Sequence, residues 1–384
     1  MIGRWVVVGT CLAGLLGATC AALPKPSAAG RTTASDRSAA PASALGPNQE
    51  TEYFTPIGGR TAWTVTVSLE GSTRDRVLRT VDSGRKWSDV TPRSVNLGRR
   101  IQVTSAFFLN RQVGWFAYAS STRAPPSHIL ETSDGGSTWT RLASLMVGGC
   151  SLRFVTSQDG WCMYQKASGP LMAYRTVDSG RTWTRRRLSG GRGLLPSGCT
   201  YDVQFLSPPS AFAGVMCGGR SAGIYGSDDG GERWRAEKIV PFGSHFTDQY
   251  FAPPMVGNQG NGAVVFEARR GGAPFTVMYR TDDLGRRWVP VRIPGRLRVW
   301  DADVVTPRVW RLVTGSTILE TENAGHSWAR VVANREVGLF GSSTGVDFST
   351  PQVGWLTNPP GSKLLRTSDG GSIWRSVALP GGSL

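Results

Sequence analysis

Short apolar runs, each broken by a polar turn, succeed one another along most of this chain, and no stretch carries the helical spacing of apolar positions. The clearest unit is an apolar strand ending in an aromatic, then a polar turn, then a second strand that opens on Gly-Trp. Phe108 leads in this way to Gly114 and Trp115, Phe154 to Gly160 and Trp161, and Phe348 to Gly354 and Trp355. Degenerate copies run from Phe54 to Trp63, Phe205 to Phe212 and Val304 to Trp310, while a fifth near Phe251 is interrupted by a Gly/Asn-rich stretch between Gly257 and Gly262. The pattern predicts an all-β body built from hairpins.

A second marker keeps phase with the first. Each unit is followed by an eight-residue box of the form [Ser/Thr]-x-[Asp/Asn]-x-Gly-x-x-Trp: Thr80 to Trp87, Thr132 to Trp139, Thr176 to Trp183, Ser227 to Trp234, Thr281 to Trp288, Thr321 to Trp328 and Thr367 to Trp374. The starts lie 52, 44, 51, 54, 40 and 46 residues apart, the length of one four-stranded propeller blade. Seven boxes predict a seven-bladed β-propeller of four-stranded antiparallel blades. Inside the box, an Asp carboxylate accepts hydrogen bonds from amides of its own turn, Gly takes a positive φ, and Trp folds back as an apolar anchor between sheets. Asp82, Asp134, Asp178, Asp229, Asp283 and Asp369 are therefore expected to hold turns, as is Asn323 in the sixth box, with Trp87, Trp139, Trp183, Trp234, Trp288, Trp328 and Trp374 as the anchors. A calcium loop would need about six to eight oxygen ligands, against one carboxylate per box. Asn323 keeps the acceptor and loses the charge, which suits a structural bond better than a catalytic acid.

These boxes resemble those of the Asp-box (bacterial neuraminidase repeat) propellers, which include sialidases, xyloglucan-degrading glycosidases and sortilin-type receptors. The phrase from Gln112 to Trp115 followed by Thr132 to Trp139 is most similar to the photosystem II assembly factor family. The resemblance covers roughly Glu52 to Pro380 and implies seven blades and a basic face that engages a membrane-protein segment. It implies fold more firmly than function, because one scaffold hosts many activities.

Ahead of the repeats, Arg4, an apolar run from Trp5 to Ala18 and small residues around Cys20 read as a signal peptide over 1–22, and Cys20 is also a candidate lipoprotein cysteine. Residues 23–50, rich in Ala, Ser and Pro, read as a tether, leaving 51–384 for the propeller. The protein is thus expected to be exported from a bacterium, secreted or held at the cell envelope, with a lipid anchor as the route to a membrane. Cys150, Cys162, Cys199 and Cys217 remain after the leader. Four cysteines allow three connectivities, of which 150 with 162 and 199 with 217 is the expected one. None has CxxC spacing, so zinc is not expected.

A formal charge of +16 is carried mainly by arginine. With the boxes between third and fourth strands on one rim, the opposite rim receives Arg100, Arg123, Arg187, Arg192, Arg220, Arg270, Arg296 and Arg298 in loops or at strand ends. Guanidinium groups aimed at a common axis suit an acidic protein segment, an anionic glycan or an anionic surface. A compositional preference for arginine accounts for the same residues without any site. No nucleic-acid motif accompanies the charge, no cofactor fingerprint is present, and the propeller is expected as a monomer.

The enzymatic alternative is a secreted glycosidase, which needs two carboxyl groups about 5 to 10 Å apart. The loop carboxylates are Asp75, Asp248, Asp301, Asp303, Glu336 and Asp347, and Asp248, with His245 and Tyr250 close by, is the weak catalytic candidate in an inter-blade loop. Asp301 and Asp303 read equally as a pair balancing Arg298 and Arg311. The Arg292-Ile293-Pro294 triplet falls in the wrong place for the sialidase motif, and His128, His245 and His326 are too scattered for a metal site. A non-enzymatic binding propeller is the expected function.

Overall fold

Seven sheets of four strands, each made of consecutive strands in antiparallel order, follow one another along the chain. The computed structural model describes residues 49–379, apart from 69–74, 96, 98–100, 121–124, 166–168, 207–208, 218–220, 242–245, 258–259, 271–272, 296, 315–316, 332–344 and 359–362. The leader, the lipidation candidate Cys20 and nearly all of the tether lie outside the described residues. The blades span 49–89, 102–141, 151–187, 200–241, 246–291, 299–331 and 345–377. The chain is a seven-bladed β-propeller.

The two sequence markers have separate structural duties. In blades two, three and seven the last Phe of the first strand is paired in register with the Gly of Gly-Trp: Phe108 with Gly114, Phe154 with Gly160 and Phe348 with Gly354. A Cβ on any of these glycines would come within 2.4 to 2.5 Å of the Phe ring, so the ring lies across a position only glycine leaves open. The Phe then meets the preceding blade. Trp63 stacks on Phe108 at 4.5 Å, Trp115 on Phe154 at 3.6 Å and Trp161 on Phe205 at 3.9 Å between ring centroids, all within 7° of parallel. These second-strand tryptophans, with Trp310 and Trp355, are almost wholly buried.

Four of the seven box tryptophans are less deeply buried than the second-strand ones. Trp234, Trp288 and Trp374 are buried, whereas Trp87, Trp139, Trp183 and Trp328 are half-buried. Trp139 and Trp328 reach back to the preceding blade, donating to Val90 O at 2.7 Å and Arg292 O at 3.1 Å. An indole at the rim has solvent on one side; an indole on a second strand is enclosed by two sheets.

The ring closes through side chains, by apolar packing and by a hydrogen bond from Arg366 to Gly59 O at 2.9 Å. Phe54 of blade one lies 5.5 Å from Trp355 of blade seven, in a cluster with Ala62, Leu78, Leu364, Val377 and Leu379. Among the described residues no strand is exchanged between the first and last blades. Disulfides join Cys150 to Cys162 and Cys199 to Cys217, with Cα atoms 5.3 and 4.3 Å apart. Cys199 precedes Thr200, which pairs with Met216, so it stands opposite Cys217 at the end of one hairpin. Leu152 is the register partner of Cys162, which makes the Cys150 bridge diagonal.

Candidate functional site

The box turns repeat one hydrogen-bond scheme in all seven blades. The Thr or Ser hydroxyl donates to Oδ1 of the third-position side chain at 2.8 to 2.9 Å. The hydroxyl oxygen itself accepts the backbone N–H of the fifth-position glycine at 2.8 to 3.0 Å. The carboxylate, or the Asn323 amide oxygen, also accepts the seventh-position N–H at 2.8 to 2.9 Å. In the second and third boxes Oδ2 takes the hydroxyls of Thr138 and Thr182, which are the largest cause holding Asp134 and Asp178 at about 2. These carboxylates are engaged by their own turns.

The fourth box position was not singled out by the sequence pattern, yet it too is left-handed. Ser83, Ser179, Leu284 and Ala324 have φ of 69°, 66°, 58° and 57°. The reason is tertiary. In every blade the amide at this position donates to a carbonyl in the turn between the first and second strands, from Ser83 N to Arg60 O at 2.8 Å through to Gly370 N to Gln352 O at 2.9 Å. Box turns and first turns therefore share one rim, and the second turns and the links between blades form the other.

On that other rim, Arg100, Arg123, Arg220 and Arg296 lie outside the described residues, and Arg270 ends a second strand, Gly262–Arg270. Arg187 is committed to its own loop, donating from Nε to Ser189 O at 2.8 Å and from Nη2 to Gly190 O at 2.6 Å. Arg298 sits 3.6 Å over the Trp300 ring and pairs through Nε with Glu267 at 2.8 Å. Burial pushes the Glu267 carboxyl up, and Arg298 opposes that shift. Arg192 is exposed in the link between blades three and four.

Three of the six carboxylates weighed as acids, Asp75, Asp301 and Asp303, are structural. Five of the seven seams between blades are clipped by a side chain that meets a backbone amide of the next blade. Asp75 accepts from Val103 N at 3.4 Å and Glu267 from Val299 N at 2.9 Å. Asp301 accepts from Val346 N at 2.9 Å and Asp303 from Phe348 N at 2.6 Å. The uncharged Ser105 and Gln204 do the same for Leu152 N and Val256 N, both at 2.9 Å. Asp248 lies within a first strand, Phe246–Val256, rather than in a loop. Pairing shifts register between Thr247 and Tyr250, and that irregularity holds Asp248. Asp347 is on the first strand of blade seven, and Glu336 and His245 lie outside the described residues. Among the described residues no three His, Cys, Asp or Glu side chains gather as a metal-binding group.

The box rim carries a second basic surface that the loop argument passed over. The residue just before each box is the last but one of the third strand, and in several blades its side chain faces the box turn of the next blade. Before the second box this is Glu131, which pairs with Arg181 of the third box at 4.0 Å. Before the first, third, fifth and seventh boxes it is arginine; Arg175 pairs with Asp159 at 3.4 Å and Arg280 meets His326 at 3.3 Å. Arg79 lies 5.3 Å over Trp63 and donates to Gly135 O at 3.3 Å; Arg366 lies 5.6 Å over Trp355 and donates to Gly59 O at 2.9 Å. Burial pulls both guanidinium pKa values down, and a second arginine adds to it: Arg111 beside Arg79 and Arg85 beside Arg366.

No family model and no curated protein matches the chain. Among solved structures it is similar to YCF48 bound to a D1 peptide, with a TM-score of 0.52 and 17% identity over 84% of this chain and 94% of that one. The likeness is one of fold. A PL25 ulvan lyase is similar at TM-score 0.53 and 10% identity, over 88% of this chain and 96% of that one. A prolyl endopeptidase reaches TM-score 0.58 at 8% identity, over 86% of this chain and 49% of the enzyme. The same fold thus occurs in proteins named for different activities, and function has to be argued from side chains.

Proposed function

We propose that this chain is an exported, non-enzymatic propeller that holds an acidic segment of a partner protein against arginine-rich surface. The observation that carries the reading is the gathering of Arg85, Arg366 and Arg375 on one surface between blades seven and one, where Arg85 adds to the lowering of the Arg366 pKa by burial. Like charges brought together at a half-buried surface raise the energy of the free protein, and an anionic ligand relieves them. Guanidinium forks take carboxylates in two-point fashion, which suits Asp and Glu side chains of an extended segment. YCF48, which shares the fold, has been seen with a D1 peptide bound. Asp75, Asp301, Asp303 and Glu267 already serve as seam acceptors, which leaves few carboxylates for a hydrolytic pair.

The test sets the mature protein against fluorogenic glycosides, including sialosides and β-glucan oligomers, beside an Asp248→Ala variant. No turnover is expected from either protein. Turnover that disappears with Asp248 would replace the binding reading with glycoside hydrolysis. Export is checked separately, by finding the protein outside the cytoplasm with residues 1–22 removed.

A further inference from the structure

The seam between blades seven and one holds a cleft of about 580 Å³ with a lining that is basic and partly apolar. Arg366 forms part of its wall, Arg85 and Arg375 are exposed on it, and Ile373 and Val377 supply apolar surface. Its one carboxylate, Asp369, uses Oδ1 to accept the Thr367 hydroxyl at 2.8 Å and the Ile373 amide at 2.9 Å. The Nε of Arg366 is buried with no hydrogen-bond partner among the described residues.

The propeller's own repetition shows what is missing. Glu131 and Arg366 occupy the same place, the last residue before a box; Arg181 and Arg85 are both the sixth residue of the box that follows in the next blade. Between blades two and three this arrangement is an ion pair, Glu131 with Arg181 at 4.0 Å. Between blades seven and one the same two places hold two cations. We infer that the seam between blades seven and one is a carboxylate-binding pocket, in which an acidic side chain of a partner protein segment sits between Arg85 and Arg366 as Glu131 sits beside Arg181. Arg375 at the edge would meet a second acidic side chain, and Ile373 and Val377 would cover the methylenes of a Glu. This assignment rests on the binding function proposed above and gives it an address.

The deciding variant is Arg85→Glu, which supplies the pocket with its own carboxylate opposite Arg366. Arg330→Glu, on the exposed fourth strand of blade six, makes the same change in net charge elsewhere. Two probes are used: glutarate, read by thermal shift, and a labelled hexaglutamate peptide, read by fluorescence anisotropy at low salt. The expected result is stabilisation of the wild type by glutarate, and peptide binding that weakens by about ten-fold or more in Arg85→Glu. Arg330→Glu should behave as the wild type. The unliganded Arg85→Glu protein should melt no lower than the wild type, because a repulsive pair has become an attractive one. Peptide binding that ignores Arg85→Glu would overturn the pocket and leave the binding function standing. A glutarate response that depends on Arg85, without peptide binding, would keep the pocket and overturn the protein partner; a sulfated oligosaccharide that binds instead of the peptide would overturn it in the same way. No response to either probe would overturn both.

Discussion

Four of the seven box turns place a side-chain-bearing residue where glycine would fit at less cost. Leu284 is the clearest case: its φ is 58°, and its side chain is 44% exposed and so has little packing to lose. The left-handed region costs a non-glycine residue about 1 to 2 kcal/mol, while glycine adds disorder to the unfolded chain. Leu284→Gly should therefore raise stability by about 0.5 to 1 kcal/mol, measured by urea unfolding. The opposite change, Gly114→Ala, drives a methyl group to within 2.4 Å of Phe108 and should lower stability by about 1 to 3 kcal/mol. The box acids make an acid-side prediction. Asp134 and Asp178 fall from the ordinary 3.8 to about 2. A carboxylate with a lowered folded pKa contributes stability that is complete above the unfolded value and is lost as pH falls through the folded one. Unfolding midpoints should fall between about pH 4 and pH 2, and less steeply in Asp134→Asn and Asp178→Asn. Asp134 is exposed and Asp178 partly so, and solvent screening keeps each contribution small.

At the scale of the blade, the seam matters more than the sheet. A four-stranded sheet satisfies its own ladder, but it presents apolar faces on both sides and first-strand amides toward its neighbour. Stacked Trp and Phe rings cover the faces, and Asp75, Ser105, Gln204, Glu267, Asp301 and Asp303 meet the amides. Asp301 illustrates the cost of removing one clip, since its side chain accepts from both Ala302 N and Val346 N at 2.8 and 2.9 Å. Asp301→Ala leaves buried donors without that acceptor and should destabilise by about 1 to 3 kcal/mol, with Asp301→Asn closer to the wild type. If the two variants unfold alike, the carboxylate is no clip.

For the whole molecule, closure without strand exchange puts the burden of holding blade one to blade seven on side chains. Trp355 is its largest buried member and lies against Phe54. Trp355→Ala should cost about 3 to 5 kcal/mol. Calorimetry should show this opening as an early transition or a broadened one, whereas Trp139→Ala, at a half-buried rim position, should cost less and keep a single transition. The same seam carries the proposed anion pocket, so an acidic ligand should raise the melting temperature by bridging the ends of the ring.

Blade number, strand order and the chemistry of each turn follow from the sequence alone, because they depend on contacts within about forty to fifty residues that recur seven times. Thr80 to Trp87 closes a hairpin through atoms of its own eight residues, and a local rule reads it. Tertiary structure decided whatever joins one turn to another across a blade, or one blade to the next. Nothing in the string marks Asp303 as an acceptor for Phe348 N, or Leu284 as a left-handed residue pinned by Gly260 O at 3.0 Å. Arg366 and Arg85 stand 281 positions apart and become neighbours only when the ring closes. Charge counting directed attention to the loops of the opposite rim, where Arg187 and Arg298 prove to be held by their own surroundings. Whether an arginine is spent inside the fold or left to meet an anion depends on its neighbours in space, and those are set by the packing of blade against blade.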